Sequence, residues 1–258
     1  VRLRNIVWSA LLEQLQQALQ GDMPQLNRIV ISGNTTMQHI LRGLAVEGLA
    51  KAPFHPVDLN EAEDIQTWND QKIVVHYLPG LSAFVGADIL SGAAYLQMGT
   101  EQNYDLLVDL GTNGELLLLN NEQGYASSTA CGPVFDHVIS GAAYGSESIH
   151  AIANCVKRHL IDRSGLIAAP FFEKGIMIDR NFVIRQQNVR NFQLAKGAIY
   201  AGICCLVEEA AIDWQEIRNV YISGGMGFYM DIKDAFVVGL LPQELKGTIT
   251  ISGNSSLE

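Results

Sequence analysis

Three short junctions constrain this chain more than any other feature. Ile31-Ser32-Gly33-Asn34, Ile222-Ser223-Gly224-Gly225 and Ile251-Ser252-Gly253-Asn254 each close an apolar run with a hydroxyl and a glycine. The first follows Arg28-Ile29-Val30-Ile31 and leads into Thr35-Thr36-Met37-Gln38-His39-Ile40-Leu41. That order predicts a buried strand, a glycine turn and a helix capped by Asn34 or Thr35. The second follows Val220-Tyr221-Ile222 and repeats the strand-to-turn design. Strands that alternate with helices through such turns predict an α/β architecture, and reuse of one junction points to an internally duplicated plan without the fixed period of a solenoid.

The segments between the junctions fit that plan. Leu3, Val7, Ala10, Leu11, Leu15 and Ala18 recur at helical spacing, which predicts an amphipathic helix over residues 3–20. Residues 52–70, rich in Pro, Asp, Glu and Asn, read as a connecting segment, and Lys72 to Leu78 as a strand. Val85-Gly86-Ala87-Asp88 then opens a small-residue helix through Tyr95. From Asn188 to Ala211, apolar positions at Phe192, Ala195, Ile199, Ile203, Leu206 and Ala210 predict a long packed helix.

The chemistry concentrates in Asp105 to Asn120. An apolar strand reaches Asp109, turns through Gly111-Thr112-Asn113-Gly114, and resumes as Leu116 to Leu119. Glycines leave backbone N–H groups open to an anion, because no Cβ blocks the approach. Thr112 and Asn113 add side-chain hydrogen bonds, and Asp109 meets a phosphate through a magnesium ion or its waters. A glycine-rich hairpin tip is also a common structural device. Ser223-Gly224-Gly225-Met226-Gly227 is a second stretch where backbone comes close to a ligand, shaped for a nucleotide base or ribose. Neither stretch is a Walker or Rossmann loop. Asp88 either favours the start of its helix electrostatically or orients an attacking water. Lys196 is a solvated lysine or a nucleotide contact. Cys131-Gly132-Pro133 is a turn that could approach the phosphates or simply pack.

Composition excludes several classes. Of 258 residues, 48% are apolar and 17% charged, so the chain is globular. A net charge of −10 disfavours nucleic acid and acidic membranes as partners. No apolar run is long enough to span a membrane and no signal-peptide pattern opens the chain, so it is expected to be cytoplasmic. Cys131, Cys155, Cys204 and Cys205 lack metal-ligand spacing, and the histidines form no zinc-binding pair.

Leu107-Val108-Asp109-Leu110-Gly111-Thr112 and Ile222-Ser223-Gly224-Gly225-Met226-Gly227 resemble the second phosphate hairpin and the adenosine loop of the acetate and sugar kinase, heat-shock chaperone and actin superfamily. Asp88 resembles its interlobe acid. Within that superfamily the chain is most similar to ATP-dependent reductive activators of corrinoid proteins. The similarity rests on Gly33-Asn34-Thr35-Thr36-Met37-Gln38-His39-Ile40-Leu41, Val85-Gly86-Ala87-Asp88-Ile89 and Asp109-Leu110-Gly111-Thr112-Asn113-Gly114-Glu115. Cys131-Gly132-Pro133-Val134-Phe135-Asp136, Gln193-Leu194-Ala195-Lys196, Leu240-Leu241-Pro242 and Ser252-Gly253-Asn254 extend it along nearly the whole chain.

The resemblance implies two ribonuclease-H-like, actin-like lobes with mixed sheets, over residues 1–103 and 104–258. It implies ATP and magnesium as ligands, with Asp88 and Asp109 catalytic and Asp109 organising the metal. Gly111, Thr112, Asn113, Gly114, Gly132, Ser223, Gly224, Gly225, Met226, Gly227 and Lys196 would contact the nucleotide. The implied partners are a corrinoid protein and an electron donor acting through a ferredoxin-like domain, with room for a homodimer. The [2Fe-2S] cluster of such a domain belongs to a longer protein, because these residues have no C-x4-C-x2-C run; the chain is expected to be the core of that protein. The family's first phosphate hairpin and a strand pair after Gly145 are also absent, and Asp136-His137 stands where it has Glu-Gly. Two other readings of the same residues are a small-molecule phosphotransferase and a non-hydrolysing assembly module.

Overall fold

The computed structural model describes residues 2–18, 26–68, 71–111, 113–130, 145–180, 182–245, 247–253 and 255. They form two compact units, one running to Ala94 and the other from Tyr95 to Ser255.

In the first unit, α1 (Arg2–Ala18) precedes β1 (Arg28–Ile31), α2 (Thr35–Arg42), β2 (Ala62–Trp68), β3 (Gln71–Tyr77) and α3 (Ala87–Tyr95). β3 is the middle strand of three, parallel to β1 and antiparallel to β2. The first junction behaves as its letters predict. Asn34 caps α2, accepting from the Met37 N–H at 2.9 Å, and Gly43 at φ +71° closes it. Trp8, Ile31, Leu41, Val75 and Tyr77 form the core between helices and sheet. The Leu41 carbonyl accepts from Arg4 Nε at 2.8 Å and Trp8 Nε1 at 3.1 Å, which ties α1 to the last turn of α2. His39 is buried and bridges elements in the same way, with Nδ1 at 2.8 Å from the Thr35 carbonyl and Nε2 accepting from the Val57 N–H at 3.0 Å.

In this unit one element differs from expectation. β2 occupies residues that read as connecting segment. Its positions alternate between half-buried and exposed, so Glu63, Asp64 and Gln66 fit an edge strand whose apolar content is too low to announce it.

The second unit starts with an antiparallel meander, β4 (Tyr104–Leu110), β5 (Gly114–Leu119) and β6 (Gly124–Thr129). α4 (Gly145–Lys157), a separate hairpin of β7 (Ile176–Met177) and β8 (Val183–Ile184), and α5 (Gln186–Glu209) follow. β9 (Ile217–Ser223), α6 (Gly224–Phe228), α7 (Ile232–Val238) and β10 (Thr248–Gly253) complete it. The main sheet has the order β10-β9-β4-β5-β6, with β9 parallel to both β4 and β10. Central strands covered on both faces read as continuous apolar runs, as β4 and β5 do. Leu106, Leu116, Phe192, Ile199, Ile203, Val220 and Ile222 lie in its core. α5 comes close to the sheet at Gly202, where a Cβ would stand 2.6 Å from both Leu116 Cδ1 and Thr129 Cγ2. α4 and α7 are clasped by Asp234, which accepts from Lys157 Nζ at 2.6 Å and lies 2.6 Å from His150 Nδ1. The architecture is the mixed α/β class read from the sequence.

Candidate nucleotide site

Parallel pairing of β4 with β9 sets Asp109 directly beside Ser223. The Ser223 hydroxyl, buried, donates to Asp109 Oδ2 at 2.6 Å. Hydrogen bonds to a carboxylate are short and strong, so this one fixes the orientation of the acid. On the other side of Asp109, Leu110 faces Gly114 across the hairpin, and the Gly111 N–H donates to the Asn113 carbonyl at 3.1 Å. Thr112 and Gly132 lie outside the described residues.

Gly224 makes the meeting of these two stretches possible. Its φ is +85°, and a Cβ there would come 2.5 Å from the Leu110 carbonyl oxygen and 2.6 Å from Asp109 Oδ1. Gly225 has nothing within 4 Å of an added Cβ, and the nearest atoms to one at Gly111 are 3.8 Å away. One glycine is therefore required by packing, and its neighbours face open space. The stretch expected as a loop is a short helix, α6, with Ser223 in the capping position. Met226 is buried, and Gly227 sits against Ile222 Cγ2.

An oriented carboxylate beside open glycine backbone and the Asn113 amide suits an anionic ligand whose charge is balanced by a hard cation. A Cβ at Gly224 would press on the Asp109 carboxylate, so glycine there lets that carboxylate keep its place. Among the described residues no cluster of three or more His, Cys, Asp or Glu could hold a metal ion alone. Magnesium fits here only with Asp109 as one oxygen donor and the remainder from water or ligand.

The other predicted residues have different surroundings. Asp88, in the first unit, occupies the first turn of α3, and its Oδ1 accepts from the Ile89 N–H at 3.2 Å. Gly86 before it packs on the first junction, where a Cβ would stand 2.4 Å from Asn34 Cα, and the Ala87 N–H donates to the Gly33 carbonyl at 3.0 Å. Lys196 is half-buried on α5, and burial pushes its pKa down. It lines a cavity of about 450 Å³ with Phe192, Gln193 and Val238, and its Nζ stands 2.9 Å from the place of a Gly239 Cβ. Val238 and Gly239 lie at the end of α7.

Sequence reasoning did not find a larger cavity of about 1250 Å³, bounded by α4, the β7–β8 hairpin and the start of α7. His150 stands in its wall, held at Nδ1 by Asp234 and at Nε2 by the Asn154 amide, 2.9 Å away. His150 and Asp234 are 84 residues apart, so no local pattern signals the pair.

Two family descriptions match the chain in succession. Residues 2–101 match the RACo middle region, and residues 137–258 match the C-terminal domain of RACo, the ASKHA domain. The chain belongs to the RACo family. Among its relatives, the corrinoid activation enzyme RamQ of Eubacterium limosum is 28% identical over an alignment of 304 residues, covering 92% of this chain and 51% of RamQ. The [Co(II) methylated amine-specific corrinoid protein] reductase of Methanosarcina barkeri is 22% identical, with 92% of this chain and 55% of the reductase covered. Among solved structures, a reductive activator for corrinoid, iron-sulfur protein superposes with a TM-score of 0.81 at 26% identity, covering 99% of this chain and 50% of that one. The chain thus spans about half the length of these relatives. Among the described residues no helix is long and apolar enough to cross a membrane.

Proposed function

We propose that this chain is the ATP-binding and ATP-hydrolysing core of a reductive activator that drives electron transfer to a corrinoid protein. The observation that carries the reading is the 2.6 Å hydrogen bond from Ser223 to Asp109, which joins two glycine stretches at the ends of neighbouring parallel strands. Their open backbone and oriented acid match a triphosphate and its cation. Asp109 would hold magnesium, which when bound neutralises phosphate charge. Gly111, Thr112, Asn113 and Gly114 would surround the phosphates, with Gly132 nearby. Ser223, Gly224, Gly225, Met226 and Gly227 would border the nucleoside, and Lys196 would add a cation from α5. Asp88 would orient the water that attacks the terminal phosphate, releasing ADP and inorganic phosphate.

The relatives' names supply the partner: activators and a reductase of corrinoid proteins. In this reading residues 1–103 and 104–258 act as two lobes, nucleotide turnover resets the complex, and electrons arrive through a ferredoxin-like domain of a longer cytoplasmic protein.

The test is calorimetric titration with magnesium-ATP, followed by phosphate release with and without the corrinoid protein. Saturable heat and partner-stimulated release are expected. Heat with no stimulation, together with phosphorylation of an acid or sugar, would replace the activator by a phosphotransferase. Absence of any nucleotide heat would remove the ATP site itself.

A further inference from the structure

Lys196 carries a charge that nothing described around it balances. Its side chain is half-buried on α5, and among the described residues its ammonium has neither a hydrogen-bond nor an ion-pair partner. Burial lowers its pKa, and no neighbouring carboxylate raises it again. A cation withdrawn from water is normally paired, because an unpaired one is costly to bury. Gly239, at φ +68°, leaves the ammonium its place, since a Cβ there would stand 2.9 Å from Nζ.

The lysine lines the cavity of about 450 Å³, which is bounded by α4, residues 161–165, α5 and the end of α7. Its walls are apolar: Ile152, Ile161, Val189, Phe192 and Val238 are buried side chains of the second unit's core. That size and lining suit a small organic molecule, held by apolar surface and a few polar groups. The charge in the lining is positive on balance. Arg163 is exposed and, like Lys196, has no partner among the described residues. Against these two cations stands one carboxylate, Asp162, which closes its own loop. Its Oδ1 accepts from the Ser164 N–H at 2.8 Å, the Ser164 hydroxyl at 2.7 Å and the Leu166 N–H at 2.9 Å, and it pairs with neither cation.

We infer that this cavity binds a small organic anion, its carboxylate or phosphate group held by Lys196 and Arg163 and its apolar body against Val189, Phe192 and Val238. Lys196, given above to the nucleotide, thereby serves a ligand of its own. Asp109, Ser223 and the glycine stretches keep the roles assigned to them.

The test is calorimetric titration of the longest available form of the protein with octanoate, phenyl phosphate and inorganic phosphate, alongside magnesium-ATP. Lys196→Met keeps the aliphatic stem and removes the charge, and Arg163→Met does the same at an exposed position. Saturable one-to-one binding of octanoate or phenyl phosphate is expected, weakened about tenfold or more by Lys196→Met and less by Arg163→Met, with magnesium-ATP affinity unchanged. Inorganic phosphate, which lacks an apolar body, should bind about tenfold more weakly than the better organic anion, and the preference between octanoate and phenyl phosphate tells carboxylate from phosphate. Because Lys196→Met relieves an unpaired charge, the urea midpoint of that variant without ligand should hold or rise. Absence of organic-anion binding, or binding that survives Lys196→Met, overturns the inference. A matching loss of magnesium-ATP affinity in Lys196→Met assigns the lysine to the nucleotide and overturns it as well. Organic-anion binding that is lost in Lys196→Met, by a protein that takes no magnesium-ATP, supports the cavity and removes only the nucleotide reading.

Discussion

Neighbouring glycines at the start of α6 give opposite expectations for the same substitution. Gly224→Ala places a methyl group 2.5 Å from the Leu110 carbonyl oxygen and 2.6 Å from Asp109 Oδ1, on a backbone with φ at +85°. A left-handed alanine costs about 1–2 kcal/mol. The contact with backbone cannot be relieved by rotating a side chain, and shifts of this kind add about 1–3 kcal/mol. A loss of about 2–5 kcal/mol lowers the melting temperature of the 95–255 unit on the order of 10 °C. Because the displaced neighbour is the Asp109 carboxylate, magnesium-ATP affinity falls as well. Gly225→Ala meets nothing within 4 Å, and alanine is favoured over glycine in a helix by about 1 kcal/mol, so the fold is unharmed or slightly firmer. If the open side of Gly225 receives the nucleoside, that variant keeps its stability and loses ATP binding. Urea unfolding by circular dichroism, with calorimetric ATP titration of each folded variant, separates the cases. Equal stability losses in both variants, or none in Gly224→Ala, would refute the packing argument.

Other expectations follow from single contacts. Ser223→Ala removes the donor to Asp109 and costs about 1–3 kcal/mol by chemical denaturation, with weaker magnesium-ATP binding; unchanged affinity would count against the joined site. Gly202→Val drives side-chain atoms into Leu116 and Thr129 and lowers stability by about 1–3 kcal/mol, seen as a shifted urea midpoint. Asp234→Asn breaks the clasp between α4 and α7, costing about 2 kcal/mol by the same assay, moderated because Lys157 and His150 are half exposed. Asp58 is held at about 2 from 3.8, first by the Asn60 backbone N–H and then by Arg42, opposed by burial. Its folded pKa is depressed, so its contribution is complete above pH 3.8 and is lost as pH falls through about 2. Asp58→Asn should remove about 1 kcal/mol at neutral pH and flatten the acid limb of the first unit's stability curve, read from urea midpoints across that range.

Local features were legible in the sequence. Asn34 and Gly43 bound α2 because capping and left-handed closure are decided within a few residues, and the long helix appears within two residues of its predicted start. The hairpin at Asp109 was visible for the same reason. Less was legible wherever a feature needed a partner distant in sequence. β2 has few apolar residues and became a strand only through pairing with β3. The glycines of the second stretch stood out, but the different duties of Gly224 and Gly225 depend on where Leu110 lies. Lys196 could be placed on its helix and not beside Gly239. The cavity wall built from His150 and Asp234 joins residues 84 apart, and no periodicity reports that.

The pairing of Asp109 with Ser223 also sets an order of assembly. The two residues are separated by 114 positions, whereas β4, β5 and β6 are joined by short turns. Hairpins close within microseconds, but a distant parallel strand must first close a long loop against chain entropy. During synthesis the meander can therefore form while β9 has yet to leave the ribosome, and the β4 edge then presents an apolar, hydrogen-bond-hungry template to any neighbouring chain. The strand that completes the acid's setting is the same strand that conceals this edge, so the interval before β9 arrives is when the nascent chain most needs protection from its own kind.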